Sequence, residues 1–455
     1  MTELIKFWEL NMLNVVKNHL LKVANNMDEI SSVVISGTIT RITGMKIEAV
    51  GIAAPLGTLC RIVVTAQRSI HAEVIGFSNE VTYLMAYENI DGIKQGTTVI
   101  VVSQKRLASV GMGLLGRVLD AEGNPIDGRG EVSTDDYYPL TPKPINPLVR
   151  KKIVDPLDVG IRAINALITV SKGQRLGIFA GSGVGKSVLL GMMTHFTKAH
   201  VVVVGMVGER GREVKEFIEQ NLGEEGLAKS VVVAAPADTS PLMRANSAVL
   251  ATTIAEYFRD KGFDVLLIID SLTRYAQAQR EISLSVGELP ATKGFTPSVF
   301  AKVASLVERS GNGANNQGSI TAFYTVLVEG DDNNDPVADH ARSVLDGHIV
   351  LSRQLADAGH YPAIDIEKSI SRVMSVVVSE QHLAYTNKFK QLYSAYAQNK
   401  DLINIGMYQA GSDKSVDEAV KLKEPMQNFL QQKVHESSAM TDSLTRLVAI
   451  FPSTQ

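Results

Sequence analysis

The pattern of hydrophobic and polar positions changes several times along the chain, and it begins as a helix. Between Thr2 and Met27, apolar residues recur at three- and four-residue spacing, with polar residues on the opposite side. This spacing predicts an amphipathic helix over 2–27. The segment 1–30 is compatible with packing on its own domain and equally with docking on a partner protein or a membrane surface.

Short runs rich in β-branched residues fill the next part of the chain, 31–105, with glycine, asparagine and proline between them. These runs are Val33–Ile39, Cys60–Val64, Ala72–Phe77 and Thr98–Val102. Several short strands at even spacing predict a small closed β-barrel, which carries no catalytic group of its own. A turn-rich stretch follows and ends in closely spaced prolines, so we assign 106–147 to a linker.

The pattern over 148–380 predicts an α/β domain. Nearly continuous apolar runs alternate there with helical segments; the runs are Val201–Val204, Val231–Ala234, Val265–Ile269 and Ser319–Tyr324. Strands that are apolar on both faces predict a mostly parallel sheet with helices on each side. Residues 381–455 lack strand runs and predict a helical domain whose helices are joined at Gly406, Gly411 and Pro425.

Composition narrows the class of partner. The 455 residues carry a formal net charge of −3, so the chain lacks the basic footprint of a nucleic-acid binder. The single cysteine, Cys60, permits no internal disulfide and no cysteine-rich metal site. No run reaches the roughly 18 consecutive apolar residues of a membrane span, and the first residues do not have the pattern of a signal peptide. We therefore expect a cytoplasmic protein that binds a nucleotide and other proteins, with at most a peripheral membrane contact.

The sequence from Gly177 to Leu190 has the pattern of a phosphate-binding loop (P-loop), with an apolar strand, a glycine-rich turn and an apolar helix. The glycines allow successive backbone N–H groups to point at an anion, Lys186 can reach the β- and γ-phosphates, and Ser187 can place its hydroxyl on Mg²⁺. Ala180 stands where the consensus has its first glycine, but a chance Gly-Lys-Ser would lack the surrounding strand and helix. The predicted nucleotide-binding residues of the loop are Gly181, Ser182, Gly183, Val184, Gly185, Lys186, Ser187 and Val188.

Two carboxylates follow apolar runs of the same predicted sheet. Asp270 ends one run, where the carboxyl end of a parallel strand faces the ligand crevice, so it is predicted to hold Mg²⁺ opposite Ser187. An acid in this place is also suited to capping the next turn. Glu209 follows another run and is a candidate for orienting or deprotonating the attacking water. An ordinary loop acid paired with Arg210 or Arg212 fits the same position.

Phosphoryl transfer spreads negative charge over the γ-phosphate oxygens. A cation supplied from outside the loop can raise the rate by on the order of 10³ to 10⁵. Arg372 is one candidate among many arginines, and its sequence context alone does not select it. The residues therefore predict a Mg²⁺-dependent ATPase but do not identify the arginine that acts on the γ-phosphate.

Several motifs together resemble the rotary-type hexameric ATPases, and more narrowly the flagellum-specific export ATPases of the bacterial type III secretion apparatus. These motifs are Ala180–Ser187, Gly208–Arg210, Asp270–Arg274, Gly330–Asp332 and His360–Asp365. The resemblance runs from about residue 30 to the C-terminus. It implies a β-barrel crown, a RecA-like core with the P-loop and a C-terminal helical domain, assembled as a homohexameric ring that hydrolyses ATP.

The resemblance also implies residue roles. Glu209 would activate the water and Asp270 would belong to the Mg²⁺ shell, with Lys186 and Ser187 on phosphate and metal. Arg372 would reach a neighbouring subunit's site. Two further residues would contact the nucleotide, namely Arg210 and, by stacking on adenine, Tyr361.

The partners implied are further copies of the chain, a stator-like regulatory protein, a stalk protein, and export substrates with their chaperones, at the inner face of the plasma membrane. The cofactors implied are ATP and Mg²⁺.

Four other functions share parts of this pattern. The catalytic subunit of the F-type synthase has a dense acidic run where this chain has Met407–Lys414, and more phenylalanines near its end than Phe429 supplies here. In a non-catalytic ring subunit the position of Glu209 resembles a glutamine, so the carboxylate here favours catalysis. The balanced charge of the chain disfavours an RNA translocase. The virulence-associated type III secretion ATPases share every catalytic group. Residues 319–332 and 346–367 favour the flagellar member.

Overall fold

The computed structural model describes residues 35–328 and 335–451, which fall into two compact units. The described part of the first unit comprises 35–86 and 90–104. The second comprises 87–89 and the described residues from 105 onward. The helix predicted over 2–27 lies outside the described residues.

The first unit is a closed antiparallel barrel, as predicted. Its strands are β1 (Ser36–Thr43), β2 (Lys46–Val50), β3 (Leu59–Val63), β4 (Ser69–Ser78), β5 (Val81–Ala86) and β6 (Thr98–Ser103), and their order is β1-β2-β5-β4-β3-β6. Buried and more exposed positions alternate along most of these strands, so that Ile39, Ile47 and Ile62 fill the interior.

Short elements occupy the stretch between residue 105 and the α/β core. They are β7 (Leu107–Val110), β8 (Val118–Leu119), β9 (Asp136–Pro139) and two 3₁₀ turns, Met112–Leu114 and Pro147–Val149. β7 pairs with β9. β8 joins the edge of the central sheet, although its sequence has the composition of a turn.

The central sheet contains β8 and eight further strands, and it is mostly parallel as predicted. The strands are β10 (Arg175–Ala180), β11 (Val201–Val207), β12 (Ser230–Ala235), β13 (Asp264–Asp270), β14 (Gly311–Asn312), β15 (Ser319–Leu327), β16 (Gly347–Leu351) and β17 (Ile364–Ser371). The order is β17-β16-β10-β15-β13-β11-β12-β8, with β14 beside β15. β17 and β14 are the antiparallel members.

Helices cover the sheet because its inner strands are apolar on both faces. The helices before residue 380 are Arg162–Leu167, Lys186–Phe196, Gly211–Glu216, Gly223–Ala228, Pro241–Asp260, Leu272–Ser285, Pro297–Glu308, Pro336–Val344, Arg353–Asp357 and Met374–Val377, with a π-helical turn at Phe217–Leu222.

The C-terminal region is helical, as predicted, with helices Glu380–Asn404, Lys414–Leu430 and Met440–Ala449. Gly406 and Gly411 lie between the first two of them. The prediction that Pro425 joins two helices is wrong, because this proline lies inside the helix Lys414–Leu430. Buried residues on both sides of it, among them Ala419 and Met426, hold the helix together despite the backbone hydrogen bond that proline removes. Within the described residues, no helix combines the length and apolar character needed to cross a membrane.

Candidate active site

The phosphate-binding loop connects β10, which ends at Ala180, to the helix that begins at Lys186. Gly183 and Gly185 adopt φ angles of 76° and 87°, a region that favours glycine. At Gly185 a Cβ would also lie 3.3 Å from Cε1 of Tyr361. The first backbone N–H groups of this helix have no acceptor within the helix and are available to an anion.

Lys186 brings together two carboxylates from neighbouring strands. Its Nζ pairs closely with Oδ1 of Asp270, the last residue of β13, and lies 3.5 Å from Oε1 of Glu209, which follows β11. β11 and β13 are adjacent and parallel, so both acids stand at the carboxyl edge of the sheet. The hydroxyl of Thr325 donates a hydrogen bond of 2.6 Å to the same oxygen, Asp270 Oδ1.

Burial sets the charge states of this cluster. The side chains of Lys186 and Glu209 are each 12% exposed and that of Asp270 is 4% exposed. Burial, reinforced by the negative charge of Asp270 and opposed by Lys186, raises the pKa of Glu209 to about 7. Burial alone would lower the pKa of Lys186, but Asp270 and Glu209 outweigh it and raise that pKa. Lys186 therefore stays charged, while Glu209 titrates near neutrality.

The competing roles considered for the two acids are occupied by other residues. Arg210 pairs with Glu213 at 3.4 Å, and Arg212 pairs with Glu216 at 2.7 Å, so neither arginine is the partner of Glu209. The helix after β13 is capped by Ser271, whose hydroxyl accepts a hydrogen bond from the backbone N–H of Arg274.

The donor set fits a hard divalent cation. Glu209 Oε1 is buried and accepts no hydrogen bond, and Asp270 faces the same space. Ser187, the second residue of the loop helix, adds a hydroxyl at its start. Carboxylate and hydroxyl oxygens supplemented by phosphate oxygens are the usual ligands of Mg²⁺.

Arg372 lies near the amino ends of the parallel strands, whereas the phosphate loop lies at their carboxyl ends. Its backbone N–H donates to the carbonyl of Asp346, whose own N–H donates to Arg175 at the start of β10. The loop follows Ala180 at the other end of that strand, five residues and roughly 17 Å away. Arg372 is exposed, and its side chain donates to the carbonyl of Arg342. The fold therefore does not bring Arg372 to the P-loop of its own chain.

The other predicted nucleotide contacts are exposed. Val188 and Tyr361 are 39% and 46% exposed, and the Arg210 side chain is 78% exposed. Tyr361 lies against Gly185, so its ring borders the phosphate loop.

Two residues near the site were not predicted from the sequence. Arg353 Nη2 donates to the carbonyl of Ser182 at 3.0 Å and so braces the loop from a distant segment. Thr325 orients Asp270. Thr325 shares its buried strand with Ser319 and Thr321, so its sequence context does not single it out, and nothing local marks Arg353.

Three family descriptions match consecutive parts of the chain. The ATP synthase alpha/beta family, beta-barrel domain, matches 39–101, and its nucleotide-binding domain matches 160–371. The T3SS EscN ATPase C-terminal domain matches 378–449.

Individual relatives match over nearly the whole length. The flagellum-specific ATP synthase of Pseudomonas aeruginosa is 55% identical over 425 residues, covering 93% of this chain and 94% of the relative. The assembled ATPase EscN from the type III secretion system of enteropathogenic E. coli is 42% identical with a TM-score of 0.86, covering 91% of this chain and 99% of EscN. EscN in complex with its central stalk EscO gives 41% identity and a TM-score of 0.84, with the same coverage.

Proposed function

The chain belongs to the family of flagellum-specific ATP synthases and type III secretion ATPases, and on that premise we propose that it hydrolyses ATP in a ring to energise flagellar protein export. The observation that carries the hydrolytic part is the buried cluster of Lys186, Glu209 and Asp270 beside the phosphate loop. A cation for phosphate, an acid for metal and an acid with a pKa near neutrality are the groups that phosphoryl transfer to water requires.

The loop would bind ATP through its backbone N–H groups and Lys186. In the free protein Lys186 is held by two carboxylates, and the phosphates would replace them as its partners. Ser187 and, through water, Asp270 would hold Mg²⁺, whose positive charge would offset that of the phosphates. Glu209 would then accept a proton from the attacking water and orient it at the γ-phosphate. Tyr361, beside Gly185, would stack on the adenine, and Arg210 would contact the nucleotide.

Arg372 would complete the site of a neighbouring copy. Its place at the sheet edge opposite the loop supports this role, because an arginine there is exposed to another molecule and remote from its own P-loop. A homohexamer supplies such neighbours around a ring, and EscN is described as an assembled ATPase.

The flagellar apparatus is favoured over a virulence apparatus by identity, which is 55% to the flagellar relative and 42% to EscN. The match to an export-ATPase C-terminal domain disfavours the F-type catalytic subunit. EscN binds a central stalk, so we propose a stalk partner here as well. A stator-like regulator, chaperoned substrates and a cytoplasmic position at the membrane belong to the same proposal.

Subunit mixing tests the proposal. Steady-state ATPase activity is measured against protein concentration for wild type, Glu209→Gln, Arg372→Ala and an equal mixture of the two variants. The control is Glu216→Gln, on a half-buried acid that pairs with Arg212. We expect each variant alone to lose at least about 100-fold and the mixture to recover part of the activity. Flat specific activity with no recovery would leave a self-contained ATPase whose arginine lies elsewhere. Restored motility in a bacterium lacking its flagellar export ATPase tests the choice of apparatus.

A further inference from the structure

Gln432 ties the C-terminal helical region to the α/β core. It follows the helix Lys414–Leu430 and is buried, with 5% of the residue exposed. Its Nε2 donates to the carbonyls of Gly160 at 2.8 Å and Glu436 at 2.6 Å, and its Oε1 accepts from the backbone N–H of Arg162 at 2.8 Å. Both N–H donors of this amide and its oxygen are therefore bonded to the protein.

Arg162 fixes the same segment from the core side. Its side chain is 4% exposed, and Nη1 donates to the last carbonyls of the helix and the residue after it, those of Asn428, Phe429 and Gln431. Nη2 forms a close ion pair with Glu436. The carbonyls at this helix end would otherwise lack partners. The backbone at residue 432 is thereby held in one place.

The backbone of Gln432 also holds Tyr361. Its N–H donates to the carbonyl of Tyr361 at 3.0 Å. Tyr361 is 46% exposed and its ring borders Gly185, so its own packing leaves part of the residue open. The position of the ring against the phosphate loop therefore depends on a hydrogen bond from the C-terminal region.

We propose that Gln432 is a positioning residue for recognition of the nucleotide base, acting through Tyr361. The amide locks residue 432 to Gly160 and Arg162, and the locked backbone holds the Tyr361 carbonyl so that the ring presents its open face to the base. This role rests on the proposed function, in which Tyr361 stacks on adenine. Stacking of a base on an aromatic ring contributes affinity without contributing to phosphate binding. Gln432 therefore affects ligands that carry a base and leaves base-free phosphates unaffected.

The test compares two competitive inhibitors of ATP hydrolysis, ADP and pyrophosphate. Gln432→Glu keeps the size of the side chain but places a carboxylate oxygen against the carbonyls of Gly160 and Glu436. Gln431→Glu makes the same change on the exposed neighbour and is the matched control. We expect Gln432→Glu to raise the inhibition constant of ADP and the KM for ATP by about tenfold, while kcat and the inhibition constant of pyrophosphate change less than twofold. Gln431→Glu should resemble wild type.

Tyr361→Ala separates failure of the inference from failure of the proposed site. If Tyr361→Ala weakens ADP and Gln432→Glu does not, Gln432 does not position the ring. If Tyr361→Ala leaves ADP binding intact, the base is bound elsewhere and both assignments fail. Equal losses for ADP and pyrophosphate would reduce Gln432 to a structural role and overturn the inference. Circular dichroism verifies folding, and Gln432→Met, which lacks the donors and adds no charge, replaces the glutamate variant if that variant does not fold.

Discussion

Lys186 Nζ lies 3.5 Å from Glu209 Oε1 at the carboxyl edge of the central sheet, and Asp270 faces the same ammonium group. One buried cation therefore compensates two buried carboxylates in the free protein.

Lys186→Ala should remove activity and also destabilise the nucleotide-free protein. Breaking a buried ion pair leaves an uncompensated charge, which costs roughly 3 kcal/mol. Differential scanning calorimetry without nucleotide should therefore show a lower Tm. Lys172→Ala is the control, because Lys172 pairs with Asp264 while 36% exposed, and such pairs contribute little. Adding Asp270→Asn to Lys186→Ala should restore part of the lost stability, and a further loss would contradict the charge explanation.

The kcat/KM for ATP should fall as the pH decreases through about 7. Glu209 has its pKa raised to about 7, so below that pH it is protonated and cannot accept a proton from water. Rates measured between pH 5.5 and 9 should follow one ionisation in this range. The residual activity of Glu209→Gln should lack it, and the same pH profile in this variant would assign the ionisation to another group.

The free energy of unfolding of the nucleotide-free protein should depend on pH in the opposite direction to kcat/KM, and decrease as the pH rises. The pKa of Glu209 is higher in the folded protein than the ordinary 4.5, so the folded state binds the extra proton between these values. The contribution of Glu209 to the free energy of unfolding is complete below about pH 4.5 and is lost as the pH rises through 7. Without nucleotide, the Tm of Glu209→Gln minus that of wild type should therefore increase as the pH rises from 5 to 8. A constant difference in Tm over this interval would mean that Glu209 does not titrate there.

Thr325→Val should weaken the metal-dependent step. The substitution keeps the shape of the side chain but removes the hydroxyl that donates to Asp270. Loss of a residue that orients a metal ligand typically weakens metal affinity about tenfold or more. ATPase activity measured against Mg²⁺ concentration should need about tenfold more metal for half-maximal rate. Thr252→Val, a buried threonine bonded within its own helix, is the control. An unchanged Mg²⁺ dependence would mean that Thr325 does not orient Asp270 for the metal.

Local sequence predicted most of the strands and helices but not the residues that meet across them. The strand, glycines and helix around Lys186 lie in one short stretch, so their geometry was predictable. Arg353 reaches Ser182 from a segment 171 positions away, which no local pattern encodes. Pro425 was misinterpreted because propensity marks it as a helix breaker, whereas packing on both sides of it sustains the helix.

In the ring proposed above, an arginine at the amino end of the strands and a phosphate loop at their carboxyl end give each protomer two different contact surfaces, so contact between copies is head to tail. Two copies cannot satisfy one another reciprocally, as they would in a two-fold dimer. In any open row of copies, the loop at one end lacks an arginine and the arginine at the other end lacks a loop. Closing the row into a ring brings the unpaired arginine to the incomplete loop, so ring closure completes the last site.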